Sequence, residues 1–247
     1  MICSIMQPTY IPWIGYFDMI DKVDLFVIYD DVQLSKRSWQ VRNRIKGSSG
    51  EIWLTIPIKK TKKRNELLIK DAFPNENEKW KQKHLKTIEF NYKKAPYFNE
   101  IFDFLLKNYN NNHNLSIFNS ILIINISKKI GIQTKFIYAS ELNNISGKKD
   151  HRLVSICKEI NATKYLSPQG SAEYINEKNK GGEFVNNNIK LFYHNYEHPT
   201  YPQLYGEFIP YMGVYDLLFN VGFDNALEII KKGRKKNIYY TDLAYEN

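Results

Sequence analysis

Three short segments near the start of the sequence combine the side chains that would suit a binding site for an anionic, hydroxyl-rich molecule. Gln7 and Tyr10 follow the first apolar run, and Asp30, Asp31 and Gln33 follow the second. Amides and aromatic rings can orient such a ligand, and a carboxylate can accept a proton from an attacking group. A tract of cations and amides comes next, and its candidate binding residues are Lys36, Trp39, Arg42, Asn43 and Arg44.

The chemistry of the acids and arginines depends on which way they face. Asp30 and Asp31 point to opposite faces of an extended chain, because side chains alternate along a strand. We expect one of them to face the cleft, where it would act as a general base or orient a sugar amine or hydroxyl. The alternative is a buried Asp–Arg pair that organises the neighbouring hairpin. Arg42 and Arg44 share one face of a strand, which suits phosphate recognition, with a salt-bridged hairpin as the alternative.

The apolar runs indicate which elements would position these residues. Ile2–Met6 and Leu25–Tyr29 are continuous apolar runs, typical of buried parallel strands, and the segment between them has helical spacing. Strand, helix and strand within about thirty residues predict a βαβ unit. Trp39–Ile45 and Ile52–Ile58 flank a glycine-containing turn and predict an inserted β-hairpin.

The remainder of the chain alternates between helical and strand patterns. Residues 75–131 have helical spacing and predict a helical insertion. The other expected elements are strands at Thr134–Ala139, Lys164–Ser167 and Ile189–His194 and helices at Asp150–Ile160, Val214–Asn220 and Asn225–Lys232. Together they predict one α/β domain over residues 1–247, with a largely parallel, Rossmann-like sheet, an inserted β-hairpin and a helical insertion.

Ligands of parallel α/β sheets bind beyond the carboxyl ends of the strands. The later strand ends add Ser167, Gln169 and Gly170 to the candidate binding residues, and His198 follows the last predicted strand. The His194-x3-His198 spacing does not by itself indicate a metal site, because no carboxylate or cysteine completes it.

The basic residues are concentrated in one segment. The net charge of the 247-residue chain is +9, and residues 34–64 contain ten Lys and Arg residues with Glu51 as their single acid. A local positive field of this kind attracts phosphates and acidic partners. Cys3 and Cys157 lie far apart in the sequence, which argues against a disulfide framework or zinc finger and favours a cytoplasmic location. No apolar stretch is long enough for membrane insertion.

The combined motifs resemble those of the WbqC-like proteins. They are Gln7-Pro8-x-Tyr10-x-Pro12-Trp13-x-Gly15-Tyr16-Phe17, Asp30-Asp31-Val32-Gln33, Trp39-x-x-Arg42-Asn43-Arg44, Trp53-Leu54-x-x-Pro57, Ser167-Pro168-Gln169-Gly170, His198-Pro199-x-Tyr201-x-Gln203 and Met212-x-x-x-Asp216-Leu217-Leu218-Phe219-Asn220-x-Gly222. This resemblance covers nearly the whole chain and adds Tyr201, Gln203, Asp216 and Asn220 to the candidate binding residues. It also implies that His198, before Pro199 in this motif, acts as a general base or contacts the substrate. Val41 stands where the family pattern has an asparagine.

The resemblance implies a transferase of O-antigen, lipopolysaccharide or other surface-polysaccharide biosynthesis that places a glycyl or related acyl group on an amino sugar. We expect a nucleotide-linked amino sugar as the acceptor, with Lys36, Arg42 and Arg44 at its phosphates. The sequence contains neither a P-loop nor a GxGxxG motif, so no bound cofactor is expected. A thioester, on CoA or on an acidic acyl or peptidyl carrier protein, would serve as the co-substrate.

Two other functions stay open on the sequence alone. The opening βαβ unit has the layout of a nucleotidyltransferase, but its turn contains no histidine where an HxGH motif would bind a triphosphate. A non-catalytic binder of a sugar nucleotide or of nucleic acid would also fit a sequence pI near 9.2. Nucleic acid is the less favoured partner, because the basic charge is confined to one hairpin and the polar clusters indicate a pocket.

Overall fold

The computed structural model describes residues 1–35, 38–61 and 66–244. Its strands are β1 (Ile2–Met6), β2 (Leu25–Ile28), β3 (Arg42–Gly47), β4 (Gly50–Thr55), β5 (Lys135–Tyr138), β6 (Lys164–Ser167), β7 (Lys190–Tyr193) and β8 (Ile238–Tyr239). Its α-helices are α1 (Ile14–Asp21), α2 (Trp80–Tyr92), α3 (Phe98–Tyr109), α4 (Leu115–Lys129), α5 (Lys149–Glu159), α6 (Ala172–Ile175), α7 (Gly182–Asn186) and α8 (Val214–Lys232). The predicted α/β class is confirmed.

Six strands form the main sheet in the order β5-β2-β1-β6-β7-β8. The first five in this order pair in parallel, as predicted, and β8 pairs antiparallel to β7. The chain passes from β1 to β2 on one side, whereas β6 and β7 extend the sheet on the other. Such a change of direction opens a crevice beyond the carboxyl ends of the neighbouring strands, here β1 and β6.

The continuous apolar runs of the central strands are explained by burial on both faces of the sheet. Phe26 and Ile28 pack into a cluster with residues of α1, α3, α4 and α8. Val27, Cys3 and Ile5 pack into a second cluster, with residues of α5 and α7. Because helices cover both faces, successive residues of β2 must all be apolar, which is why the strand shows no polar alternation. The two buried cysteines lie with their Sγ atoms 3.7 Å apart.

The predicted hairpin forms a separate two-stranded sheet. β3 and β4 pair antiparallel, with Arg42 opposite Thr55 and Arg44 opposite Trp53. Trp39 precedes β3 in a turn and is not part of the strand that was expected to begin there. Three helices, α2, α3 and α4, follow the hairpin within the segment predicted to be a helical insertion.

The last long helix changes direction at one residue. Gly222 has φ 76° and ψ 174° inside α8, so the two helices expected on either side of it join across a kink. A Cβ at this position would lie 2.6 Å from the ring of Tyr97, so the glycine also permits a close approach by the insertion. In the described ranges, no helix combines the length and apolarity needed to cross a membrane.

Candidate functional site

Two adjoining cavities lie beyond the carboxyl ends of β1 and β6. The histidine cavity, of about 280 Å³, is lined by Met6, Trp13, Gly15, Tyr16, Met19, Pro168, Gln169, Gly170, His194 and Tyr196. The aromatic cavity, of about 350 Å³, is lined by Met6, Thr9, Pro12, Trp13, Tyr16, Trp39, Asn43, Arg44 and Tyr211. The cavities share the walls formed by Met6, Trp13 and Tyr16, so they form one composite site at the predicted edge of the sheet.

A histidine–aspartate pair lies at the histidine cavity, where His194 lines the wall and Asp18 is buried behind it. His194 follows β7 directly, and its Nε2 lies 2.8 Å from Oδ2 of Asp18, which is fully buried on α1. Because an ionised carboxylate only accepts hydrogen bonds, Nε2 carries the hydrogen and Nδ1 holds the lone pair in the neutral ring. Gln169 Nε2 donates to the His194 carbonyl oxygen over 3.0 Å, which fixes the adjoining backbone. The site therefore contains an oriented proton acceptor.

An arginine keeps Asp18 charged. Arg234 Nε donates to Asp18 Oδ1 over 2.6 Å, and its Nη2 donates to Asp21 Oδ2 over 2.5 Å. Burial by itself would raise the pKa of Asp18, but hydrogen bonds from His194 and Arg234 outweigh it and hold that pKa below its usual value. Lys22 Nζ adds a second cation at 3.9 Å. An ionised carboxylate behind the ring both orients the imidazole and stabilises its protonated form.

Aromatic rings form much of the wall of the aromatic cavity. The Trp13 ring stacks on His198 with centroids 6.2 Å apart and meets the Tyr211 ring at 5.5 Å. Trp39 stacks on Trp53 at 5.7 Å, although 50% of Trp39 and 43% of Trp53 is exposed to solvent. Faces of this kind can pack against a sugar or a planar ring.

The turn between β1 and α1 directs Trp13 into the cavities through an unusual backbone. Ile11 has φ 45°, which β-branched residues rarely adopt. Asn43 Nδ2 holds this turn by donating to the carbonyl oxygens of Tyr10 at 3.0 Å and Ile11 at 2.7 Å. A Cβ on Gly15 would lie 2.2 Å from Cη2 of Trp13, so the indole packs where only glycine leaves room.

The two hairpin arginines lie on one face of β3, and both guanidinium groups lie near the Trp53 ring. Arg42 Cζ lies 4.6 Å from the centre of the Trp53 ring, and Arg44 Cζ lies 6.0 Å from it. Arg44 Nη1 also donates to Glu51 over 2.7 Å, so the salt-bridged alternative applies to this arginine. Lys36, the other predicted phosphate ligand, lies outside the described residues.

The paired carboxylates after β2 do not line either cavity, so the expectation that one faces the cleft is not met. Asp30 accepts hydrogen bonds from Ser116 Oγ at 3.2 Å and from Ser140 Oγ at 2.9 Å. Burial raises its pKa, which these hydrogen bonds only partly oppose. Asp31 pairs with Arg152 of α5, so an Asp–Arg pair forms, but it joins the end of β2 to α5 and does not organise the hairpin as the alternative supposed.

Tyr10 and Gln7, predicted to contact ligand, instead pack within the fold. Tyr10 is fully buried, and its hydroxyl lies 2.8 Å from His84 Nδ1 and 2.7 Å from the hydroxyl of Tyr109. Gln7 Oε1 accepts a hydrogen bond of 2.7 Å from Gln40 Nε2. These contacts support the walls of the site from behind, and neither side chain lines a cavity.

The C-terminal signature forms a buried polar network. Asp216 on α8 accepts hydrogen bonds from Tyr92 at 2.7 Å, Tyr201 at 2.9 Å and Gln203 at 2.7 Å. Lys46 Nζ donates to Gln203 Oε1 over 3.0 Å. Burial raises the pKa of Asp216, and the hydrogen bonds and Lys46 oppose that rise. The network joins the hairpin, α2 and α8, and these predicted binding residues line neither cavity.

His198 supports the site indirectly. Its Nδ1 donates to the carbonyl oxygen of Pro199 over 2.9 Å, and its Nε2 is buried without a hydrogen-bond partner. Burial lowers its pKa, which favours the neutral ring. Since the ring stacks on Trp13 and lines neither cavity, its position differs from that expected of a general base.

The remaining predicted residues divide between the cavities and the scaffold. Those that line one of the two cavities are Trp39, Asn43, Arg44, Gln169 and Gly170. Arg42 lines a separate cavity, together with Thr55. Ser167 Oγ donates to Pro168 over 3.3 Å and Asn220 Nδ2 to the Asp216 carbonyl over 2.7 Å, so both hold local backbone. Gln33 is exposed and its backbone pairs with Leu68.

The sequence pattern did not identify the His194–Asp18–Arg234 arrangement as a site. Its hydrogen-bonded pairs are 176 and 216 residues apart, so no local spacing could reveal them. One signal was present: Asp18 falls among the buried residues of α1, where a carboxylate requires a charged partner.

Comparison with known proteins agrees with the motifs. Residues 7–228 match the WbqC-like protein family. The chain is also similar to a Mycobacterium tuberculosis protein described as uncharacterized protein Rv1507c, with 38% identity over 222 residues that cover 89% of this chain and 93% of the relative. No solved structure matches the chain significantly. The chain therefore belongs to the WbqC-like protein family.

Proposed function

We propose that this protein transfers an acyl or aminoacyl group, such as glycyl, from a thioester to the amine of a nucleotide-linked amino sugar in surface-polysaccharide biosynthesis. The observation that carries this proposal is the His194–Asp18 pair, with 2.8 Å between Nε2 and Oδ2. The pair places an oriented imidazole in a cavity at the sheet edge where α/β proteins bind small ligands. Family membership supports the class of acceptor.

In the proposed reaction, the amine nitrogen attacks the thioester carbonyl carbon. A C–N bond forms, the C–S bond breaks and the sulfur leaves as a thiolate. Nδ1 of His194 accepts the proton that the amine loses, and the imidazolium then donates it to the thiolate, so the ring returns to its neutral form. Asp18 stabilises the imidazolium, and Arg234 keeps Asp18 ionised through the 2.6 Å hydrogen bond.

The same geometry gives less support to a nucleotidyltransferase. A triphosphate requires several cations or helix-terminal N–H groups around it. Among the described residues, those lining the histidine cavity include no lysine or arginine. Aromatic rings and an imidazole suit a neutral reacting centre such as an amine and a thioester carbonyl better than a triphosphate.

The proposal is tested by mass spectrometry of nucleotide-linked amino sugars incubated with the full chain and with acyl or glycyl thioesters. Replacing the proton acceptor in His194→Gln, or its partner in Asp18→Asn, should lower kcat about 10²- to 10⁴-fold, the usual contribution of general-base catalysis. His113→Gln removes an exposed histidine and should leave kcat unchanged.

The outcomes separate the hypotheses. Circular dichroism of each variant must show a folded protein before its rate is compared. Product formed by His194→Gln at the rate of the unmodified protein would show that the pair takes no part in the transfer. Release of pyrophosphate from a nucleoside triphosphate would instead favour the nucleotidyltransferase.

A further inference from the structure

The tryptophan pair of the hairpin is not needed for the proton transfer, yet it is exposed. Trp39 and Trp53 stack with ring centroids 5.7 Å apart and an interplanar angle of 27°. They keep 50% and 43% of their surface in contact with solvent. Large aromatic side chains left exposed together are a mark of binding surfaces, because burying them would otherwise stabilise the fold.

Positive charge lies directly beside this pair. The Arg42 guanidinium lies over the Trp53 ring at 4.6 Å, and among the described residues its side chain forms no hydrogen bond or ion pair. A guanidinium that stacks on a ring contacts it through its planar face, so the N–H groups at its edge stay free to bind an anion. Arg44 lies 6.0 Å from the same ring and gives one N–H to Glu51.

The pair is also continuous with the reacting centre. Trp39 and Arg44 line the aromatic cavity together with Trp13 and Tyr16. Trp13 and Tyr16 line the histidine cavity as well, on the side of His194. Along this path the site presents the Trp39 ring, the Arg44 guanidinium and then the imidazole, whereas Arg42, over the Trp53 ring, lines a separate cavity. A planar base, a diphosphate and a sugar amine of a nucleotide-linked amino sugar match an aromatic ring, a guanidinium and a proton acceptor.

We propose that Trp39, Trp53, Arg42 and Arg44 form a subsite for the nucleoside diphosphate portion of the acceptor. The base stacks on the tryptophan pair, and the two arginines bind the diphosphate. The identity of the attached amino sugar rests on the proposed function. Binding of a nucleoside diphosphate alone rests only on this subsite.

Single-stranded nucleic acid uses similar chemistry, since bases stack on aromatic side chains beside a basic groove. Here the stacked pair leads into a cavity of about 350 Å³ bounded by Trp13 and Tyr211. A cavity of this size accommodates one small ligand, within the range of ordinary small-molecule sites. A cavity of this size, lined by Trp13, Trp39 and Tyr211, therefore favours a single nucleotide over a continuous strand.

The experiment is isothermal titration of the full chain with UDP, dTDP, GDP and ADP, each without a sugar. At least one should bind, and Trp39→Ala should weaken it about tenfold or more through loss of the base stack. Arg42→Gln should weaken it by a similar factor and reduce the dependence of affinity on salt. Phe90→Ala, which removes an aromatic ring that is 71% exposed on α2, should change neither.

Each outcome bears on the subsite separately from the transfer reaction. The subsite would be overturned if no nucleoside diphosphate bound, or if the unmodified protein, Trp39→Ala and Arg42→Gln bound it with equal affinity. This holds even if acyl transfer to free amino sugars were observed. Tighter binding of single-stranded oligonucleotides than of every nucleoside diphosphate would overturn it too. Nucleotide binding that the two substitutions weaken, without any acyl transfer, would confirm the subsite and reject the reaction. Because Trp39 precedes β3 and is half exposed, its removal should leave the fold intact.

Discussion

A buried histidine of α2 should make the protein sensitive to mild acid. His84 Nε2 donates to the Thr55 carbonyl oxygen over 3.1 Å, and its Nδ1 accepts from the Tyr10 hydroxyl at 2.8 Å. Both ring nitrogens are therefore satisfied only while the ring is neutral. Burial lowers the pKa of His84 to about 4, with the Thr55 carbonyl opposing that change.

The size of the effect follows from the two pKa values. An unfolded chain protonates this histidine near pH 6.5, whereas the folded chain takes up the proton only near pH 4. Between these values the unfolded state binds more protons, so the free energy of unfolding falls as the pH falls. Lowering the pH from about 7.5 to about 5 should cost about 2 kcal/mol, and the full difference between the two pKa values corresponds to about 3 kcal/mol.

The assay is urea unfolding followed by circular dichroism at about pH 7.5 and about pH 5, for the unmodified protein and for His84→Gln. The variant lacks the titrating group, so its loss of stability on acidification should be smaller by about 2 kcal/mol. His113→Gln removes an exposed histidine and should keep the pH dependence of the unmodified protein.

Comparing the change with pH, rather than stability at one pH, removes the cost of the substitution itself. The carboxylates contribute equally to the unmodified protein and the variant, so they cancel in the difference. If His84→Gln and the unmodified protein lost the same free energy on acidification, the reasoning about burial of the neutral ring would be refuted.

Two further predictions concern packing. Gly15→Ala places a Cβ 2.2 Å from a ring atom of Trp13, so tryptophan fluorescence should shift and urea unfolding should show a loss of about 1–3 kcal/mol. Gly170→Ala, whose Cβ would meet no atom within 4 Å, is the control. Equal fluorescence spectra of Gly15→Ala and the unmodified protein would contradict the prediction. Asp216→Ala removes the carboxylate that accepts hydrogen bonds from buried Tyr92 and Tyr201 and from half-buried Gln203, and it should cost about 3–5 kcal/mol by urea unfolding. The exposed Asp224→Ala on the same helix should cost about 0.5 kcal/mol or less. A cost for Asp216→Ala no greater than that of its control would show that the network adds little stability.

The sequence predicted the sheet well because burial on two faces produces a local pattern. Phe26, Val27 and Ile28 alternate between two apolar clusters, and a run that is apolar at every position has few other interpretations at that length. The apolar runs also predicted where the strands end, and therefore the edge of the sheet at which ligands bind. The predicted residues that line the cavities at this edge are Trp39, Asn43, Arg44, Gln169 and Gly170.

The local sequence pattern could not show which polar residues at that edge of the sheet line the cavities and which are buried in the fold. In the sequence, Asp30 has the position expected of a carboxylate that faces the cleft. In the structure, it is buried and accepts hydrogen bonds from Ser116 and Ser140, which lie on distant elements. In the sequence, Asp18 looks like an ordinary polar residue of a short helix. In the structure, it is hydrogen-bonded to His194, which follows β7. Which carboxylate is capped and which one faces a histidine depends on tertiary contacts, and spacing along the chain does not encode them.

The span of the Asp18 contacts has a consequence for the order in which the fold can form. Asp18 is translated before its hydrogen-bond partners, which lie 176 and 216 residues further along the chain. Until they emerge from the ribosome, α1 cannot bury this carboxylate without an uncompensated charge. The βαβ unit that contains Asp18 therefore cannot reach its final packing before the segment after β7 is made, and the His194–Asp18 pair and its support from Arg234 are completed together.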